Sequence, residues 1–259
     1  MEKASKSLGQ FTKEEKWLLE EKYHGRESPA FFLDITRLKK GEPIDYIIGF
    51  RPFLGCHIDL SEIPLIPRTE TEFWVERAIQ EKLSKKEKES LNFLDLFSGS
   101  GCIGIALAHH IKLSTVDFGD NNKKCLKQIR ENLKKNKIEN SRINIYESDC
   151  FKNIPKKKYD YIFANPPYIA YEREKKIQES VIKWEPHGAL FAKDEGFYFI
   201  KEIIQKAPDF LDGNGTIFIE FDSCQKETIE TELIPKDIYK YEFWKDQFGK
   251  WRVVILQKK

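Results

Sequence analysis

From Leu91 onward, short apolar runs alternate with amphipathic stretches: NFLDLF, CIGIALAHHI, STVDFG, NKKCLKQIRENLKKN, RINIYE and YDYIFA follow one another in order. Runs of period two between stretches of helical period predict strand, helix, strand, helix, and therefore an α/β fold with a parallel sheet covered on both faces. After a helix around 196–207 come GTIFIEF, a helix near 225–233, and then IYKYEFWKD and WRVVILQ. Only a turn around Phe248-Gly249 separates the last two runs. That is too short for a crossover, so they are expected to run antiparallel. The pattern predicts a seven-stranded, Rossmann-like sheet with an antiparallel last strand.

Upstream, Trp17, Leu18 and Leu19 fall in one helical segment, and Phe31, Phe32, Ile35 and Leu38 in a second after Pro29. Two short helices are predicted. Between Ile47 and Pro67 the apolar pieces are broken by Gly49, Pro52, Gly55, Pro64 and Pro67, as in a β-hairpin or extended linker. Thr69 to Leu83 predicts a helix, and the lysine- and glutamate-rich stretch Ser84 to Ser90 an exposed connection. The expected division is a short helical region over 1–46, a hairpin or linker over 47–68 and a catalytic domain over 69–259.

Composition narrows the class. With 259 residues, 40% hydrophobic and 33% charged, the chain has room for a sizeable core. No apolar run approaches the ~20 residues that span a bilayer, so no membrane partner is expected. MEKASKSLGQF has lysines without the apolar core of a secretory signal, which makes the cytoplasm the expected location. Basic and acidic residues nearly balance, 44 against 42, which favours no stable nucleic-acid partner. Lys134-Lys135 and Lys156 to Lys158 read as solvated faces. Cys56, Cys102, Cys125, Cys150 and Cys224 are scattered singly, and His57, His109 and His110 lack ligand spacing, so reduced thiols and no metal are expected.

Gly99-Ser100-Gly101-Cys102-Ile103-Gly104 fits G-x-G-x-x-G directly after a strand and at the opening of a helix. Glycine lets such a turn approach a ligand closely, although nicotinamide cofactors and purely structural turns use the same loop. Asp120 ends the next strand, where a carboxylate can accept hydrogen bonds from both ribose hydroxyls. Asp95, before the loop, could meet the amino end of a methyl donor but would sit badly beside a pyrophosphate. Asp149, after the third strand, could accept from an adenine amino group. Helix capping or a turn is the plainer reading of either aspartate. Asn165-Pro166-Pro167-Tyr168 ends the fourth strand at the carboxyl edge of the sheet, where ligands bind in this architecture. The Asn165 side-chain oxygen and the Pro166 carbonyl could together accept both hydrogens of an NH2 group, and Tyr168 offers a face for a planar substrate. A structural strand-ending turn is the alternative.

GEPIDYIIG, LIPRTETEFWVE, LDLFSGSGCIGIALA, YDYIFANPPYI and WEPHGAL occur in this order. In these motifs the chain resembles the HemK-type glutamine methyltransferases, from about Gly41 to the C-terminus. The resemblance implies a class I methyltransferase fold, S-adenosylmethionine as cofactor and the glutamine of the Gly-Gly-Gln tripeptide of a peptide chain release factor as substrate. It implies cofactor contacts from the loop Phe97, Ser98, Gly99, Ser100 and Gly101, from Asp120, from Asp149 with Cys150, and from Asn165, beside the contact read above for Asp95. It implies substrate gripping by Asn165, Pro166, Pro167 and Tyr168, with Asn165, Pro166 and Tyr168 catalytic. The helical region over 1–46 would hold the protein substrate, and a monomer is the expected form. Glutamine methylation of a ribosomal protein, amino-group methylation of a nucleic-acid base and a catalytically silent scaffold are the competing readings. The chain departs from the family at Phe97, where glycine is usual, at Cys150, where an aromatic is frequent, and at Asp222, where glycine is usual.

Overall fold

The computed structural model describes residues 11–84 and 90–259. The first ten residues, read above for a signal, and most of the connection expected over 84–90 lie outside the described residues.

Two helices open the described chain, α1 (Lys13–Tyr23) and α2 (Pro29–Lys39). Thr12 and Glu15 form a capping box at the start of α1, each side chain accepting from the other's backbone N–H. Ser28 caps α2 one residue before Pro29, whose fixed φ suits a first helical turn. A third short helix, α3 (Ile44–Ile48), follows, so Ile47 and Ile48 are helical rather than part of the hairpin region expected to start there. Its apolar residues explain this: Ile44, Ile47 and Ile48 join Leu18, Leu19, Phe31 and Ile35 in one small core. The hairpin β1 (Phe50–Phe53) and β2 (Cys56–Asp59) turns at Leu54-Gly55, both with positive φ.

Helix α4 (Thr69–Ala78) ends in a wide turn at Ile79–Leu83 and leads into the main sheet. Its strands are β3 (Asn92–Leu96), β4 (Thr115–Asp120), β5 (Ile143–Glu147), β6 (Tyr159–Ala164), β9 (Leu211–Glu220), β10 (Tyr239–Lys245) and β11 (Trp251–Lys258), with the short parallel pair β7 (Ile169–Ala170) and β8 (Phe191–Ala192) apart. The spatial order is β10-β11-β9-β6-β3-β4-β5. From β5 to β9 all neighbours are parallel, while β11 runs antiparallel to both β9 and β10. The seven strands and the reversed last strand are those expected from the sequence. Helices α5 (Cys102–His110), α6 (Lys123–Lys135), α7 (Glu179–Trp184), α8 (Tyr198–Phe210) and α9 (Lys226–Thr228) complete the chain.

Two apolar cores lie on the two sheet faces, one with Trp74, Ile105, Phe118, Ile129 and Phe163, the other with Leu94, Ile162, Ile203, Ile217 and Phe221. Alternate residues of β3 and β6 enter opposite cores, as period-two alternation in a doubly covered sheet requires. A Cβ on Gly104 would lie 2.3 Å from the Phe118 ring, so this glycine sets how closely α5 sits on the sheet. Four of the five cysteines are buried and all are free. No described helix is long and apolar enough to cross a membrane.

Candidate active site

The loop Phe97–Gly101 leaves the end of β3 and opens α5. Gly101 has φ +80°, and a Cβ there would meet Ile129 at 3.0 Å, so both its conformation and its surroundings call for glycine. Ser98 staples the loop to the sheet: its hydroxyl donates to the Asp95 carbonyl at 2.7 Å and accepts the Gly119 N–H at 3.1 Å. Asp120, at the end of β4, accepts the Gly99 N–H and the Asn122 N–H, each at 2.8 Å, and burial pushes its carboxyl above the usual range. Asp95 is 1% exposed; its Oδ2 accepts the Gly104 N–H at 2.9 Å, while its Oδ1 has no partner among the described residues. Burial raises its pKa to about 8. An orphaned carboxylate oxygen beneath the loop, a glycine cradle and a carboxylate fixed by two backbone amides suit a nucleoside with a cationic amino-acid tail, as S-adenosylmethionine is.

Asn165 follows β6 directly. Its Nδ2 donates to Thr71 Oγ1 at 3.3 Å, which leaves Oδ1 as the free end of the amide. Thr71 donates in turn to Glu220 Oε2 at 2.7 Å, Trp74 Nε1 donates to the same oxygen at 2.8 Å, and Tyr168 donates its phenol hydrogen to Glu220 Oε1 at 3.1 Å. Burial and the neighbouring Glu220 charge push the Tyr168 hydroxyl far above its ordinary pKa, so it stays a proton donor. The Tyr168 carbonyl accepts from Gln225 Nε2 at 3.2 Å.

One cavity of about 220 Å³ brings the two halves together. Phe97, Ser98, Gly99, Ser100, Asp120, Asn165 and Pro167 line it; Asp95, Gly101, Asp149, Cys150, Pro166 and Tyr168 do not. Asp149 is exposed, and Cys150 is buried in the second core with its thiol pushed up to about 12. The preceding residue, Ser148, reaches the cavity instead. Phe97 stands at φ +60°, a backbone region that favours glycine, and its ring meets Phe199 edge-on at 5.0 Å as part of the cavity wall.

Thr71, Arg68, Asn121, Asn122, Cys125 and Phe199 also line the cavity and were not singled out from the sequence. LIPRTETE was noted only as a motif, and nothing in its spacing says that Thr71 lies beside Asn165. Arg68 pairs with the buried Glu185 at 2.7 Å, which also accepts the Ile66 N–H at 3.2 Å. This joins LIPR to WEP, so Pro186, Gly188 and Ala189 lie across the cavity from the glycine loop. Among the described residues no cluster of metal-ligating side chains occurs.

The family model "Methyltransferase small domain" matches residues 76–192. A release factor glutamine methyltransferase of Fusobacterium nucleatum is 38% identical over 225 residues, 86% of this chain and 62% of that protein's length. A release factor glutamine methyltransferase of Streptococcus pneumoniae is 36% identical over 241 residues, 92% of this chain and 83% of that protein. In fold, a methyltransferase from Pyrococcus furiosus superposes with a TM-score of 0.57 at 18% identity, covering 79% of this chain and 89% of that one.

Proposed function

Because the chain belongs to the release factor glutamine methyltransferase family, we propose that it transfers the methyl group of S-adenosylmethionine to the side-chain amide nitrogen of the glutamine in the Gly-Gly-Gln tripeptide of a peptide chain release factor. The observation that carries this reading is the Asn165 amide, tied by its NH2 to Thr71 with its oxygen left free, in one cavity with the glycine loop and Asp120.

An amide nitrogen is a poor nucleophile because its lone pair is delocalised into its carbonyl. Asn165 Oδ1 and the Pro166 carbonyl accept its two hydrogens, which fixes the nitrogen and turns its lone pair toward the cofactor side of the cavity. Positioning and exclusion of water supply on the order of 7–11 kcal/mol in favourable cases, so no strong base has to act first. The bound cofactor supplies an electrophilic methyl group on a sulfonium. Asp120 and the loop Phe97–Gly101 would hold its nucleoside, and the buried Asp95 beneath the loop would favour its cationic end. Ser148, which lines the cavity beside Asp149, would border the adenine. The bond from the Tyr168 phenol to Glu220 fixes the end of the Asn-Pro-Pro-Tyr turn that carries Asn165. One proton leaves the nitrogen during or after transfer and passes to water. The helices α1 and α2 hold the release factor, and the protein acts as a monomer in the cytoplasm without a stable nucleic-acid partner.

The test is transfer of labelled methyl from S-adenosylmethionine to a purified release factor. Label is expected on native Gly-Gly-Gln and none on the Gln→Ala version, with Asn165→Ala lowering kcat by about 100-fold or more. Label on RNA, DNA or ribosomal protein with none on the release factor would overturn the substrate.

A further inference from the structure

Glu220 is a fully buried carboxylate whose side-chain partners flank the Asn-Pro-Pro-Tyr turn. Burying a carboxylate is costly, and Arg252, the cation facing it from β11, is committed to Asp246 by two bonds of 3.0 and 3.1 Å. The indole N–H of Trp74 can only donate, so Glu220 Oε2 accepts from it. The Thr71 hydroxyl has one hydrogen, and at 2.7 Å it goes to the same carboxylate oxygen. Thr71 therefore turns lone pairs toward Asn165, and only the NH2 end of the Asn165 amide can face them. With the amide reversed, two oxygens would face each other and Asn165 would present a donor to the substrate's NH2. Glu220 Oε1 meanwhile takes the Tyr168 hydroxyl at the far end of the turn.

We propose that Thr71 and Glu220 are positioning residues for methyl transfer: the Glu220 carboxylate, through the Thr71 hydroxyl, fixes which end of the Asn165 amide faces the substrate, and directly fixes Tyr168. This rests on the methyl transfer to an amide nitrogen proposed above. Thr71 lies 149 positions from Glu220 in the chain, and together they bind helix α4 to the end of β9 at the reacting edge of the sheet.

The test separates orientation from folding and from substrate identity. Thr71→Val keeps the side chain's shape and removes the hydroxyl, whereas Thr71→Ser keeps the hydroxyl. On a release factor, Thr71→Val is expected to lower kcat by about 10- to 100-fold, with the Kd of S-adenosylmethionine close to wild type and the thermal midpoint lowered but still well above the assay temperature. Thr71→Ser is expected to restore kcat to within a few-fold, and Glu220→Ala, which removes the acceptor of the Thr71 hydrogen, to lower it at least as far as Thr71→Val does. Equal kcat for Thr71→Val and wild type, or a Thr71→Ser variant as slow as Thr71→Val, overturns the proposal. So does a Thr71→Val midpoint that falls to the assay temperature. Independently of any substrate, NMR of the wild-type protein should show cross-relaxation between the Asn165 side-chain NH2 and the Thr71 methyl, lost in Thr71→Ala. Its absence in wild type overturns the proposal whatever the enzyme methylates. Its presence without methylation of a release factor leaves the positioning intact and overturns the substrate alone.

Discussion

Asp95 keeps a proton at neutral pH that an ordinary aspartate loses, because burial raises its pKa to about 8. The folded state therefore binds a proton that the unfolded state releases above the usual carboxylate range. The sign follows from linkage: this contribution to stability is complete at low pH and is lost as pH rises toward about 8, at about 1.4 kcal/mol per pH unit inside that window. Asn at this position cannot ionise. In urea melts at pH 5, 6.5 and 8, Asp95→Asn is expected to gain on wild type steadily as pH rises; parallel stability curves would show that Asp95 is already ionised in the free protein. The variant should also bind S-adenosylmethionine more weakly, since it offers no carboxylate to the cationic end.

Helix α6 holds two things at once. Gln128 and Asn132, with Asn136 just past the helix end, accept from the backbone N–H groups of Glu62, Asp59 and His57 in and just after the hairpin, and Asn132 Nδ2 also donates to the Ser100 carbonyl of the glycine loop at 2.9 Å. Asn132→Ala removes a partner from the buried Ser100 carbonyl and from the half-buried Asp59 N–H and carbonyl, and is expected to cost roughly 2–4 kcal/mol. It should also weaken cofactor binding, because the loop loses its tie. Asn136→Ala, which touches the hairpin and its own helix alone, should lower stability while leaving the Kd of S-adenosylmethionine unchanged. Chemical melts and cofactor titrations of both variants check this; equal Kd values for the two would show that Asn132 does not shape the loop. At this scale much was legible in the sequence. The strands β3, β4, β6 and β9 are apolar runs, and the glycine loop and Asn165 fall at their ends, where chain order alone places them together. Glu220 was visible as the one charge closing GTIFIE, but its partners Thr71 and Trp74 come from a different part of the chain, and side-chain bonds across such distances leave no periodicity. The helix Ile44–Ile48 was missed because five residues are too few to show a helical period, and its packing on α1 and α2 decides its form. Phe97 was noticed as a departure from glycine, and its positive φ is the conformation that a glycine there accommodates.

Across the whole molecule, the apolar cores fall into three groups, and the smallest belongs to α1, α2 and α3. That small core buries Leu18, Leu19 and Phe31, yet Trp17, Phe32 and Leu33 on the same two helices stay exposed, Leu33 by 68%. Exposed apolar side chains suit a partner's surface where they are contiguous, and Leu33 is the most exposed of the three. On the reading proposed here that partner is the release factor, whose Gly-Gly-Gln loop must reach Asn165 while its body rests elsewhere. Leu33→Glu removes little packing, since Leu33 is 68% exposed, and places a charge on that surface. Its effect should therefore be confined to docking: KM for the intact release factor is expected to rise by about tenfold, with the Kd of S-adenosylmethionine and the kcat at saturating substrate unchanged. A short peptide carrying only Gly-Gly-Gln cannot reach this surface, so wild type and Leu33→Glu should methylate it equally. If the intact release factor shows no change in KM, the helices do not dock it and the binding surface lies on the methyltransferase domain itself.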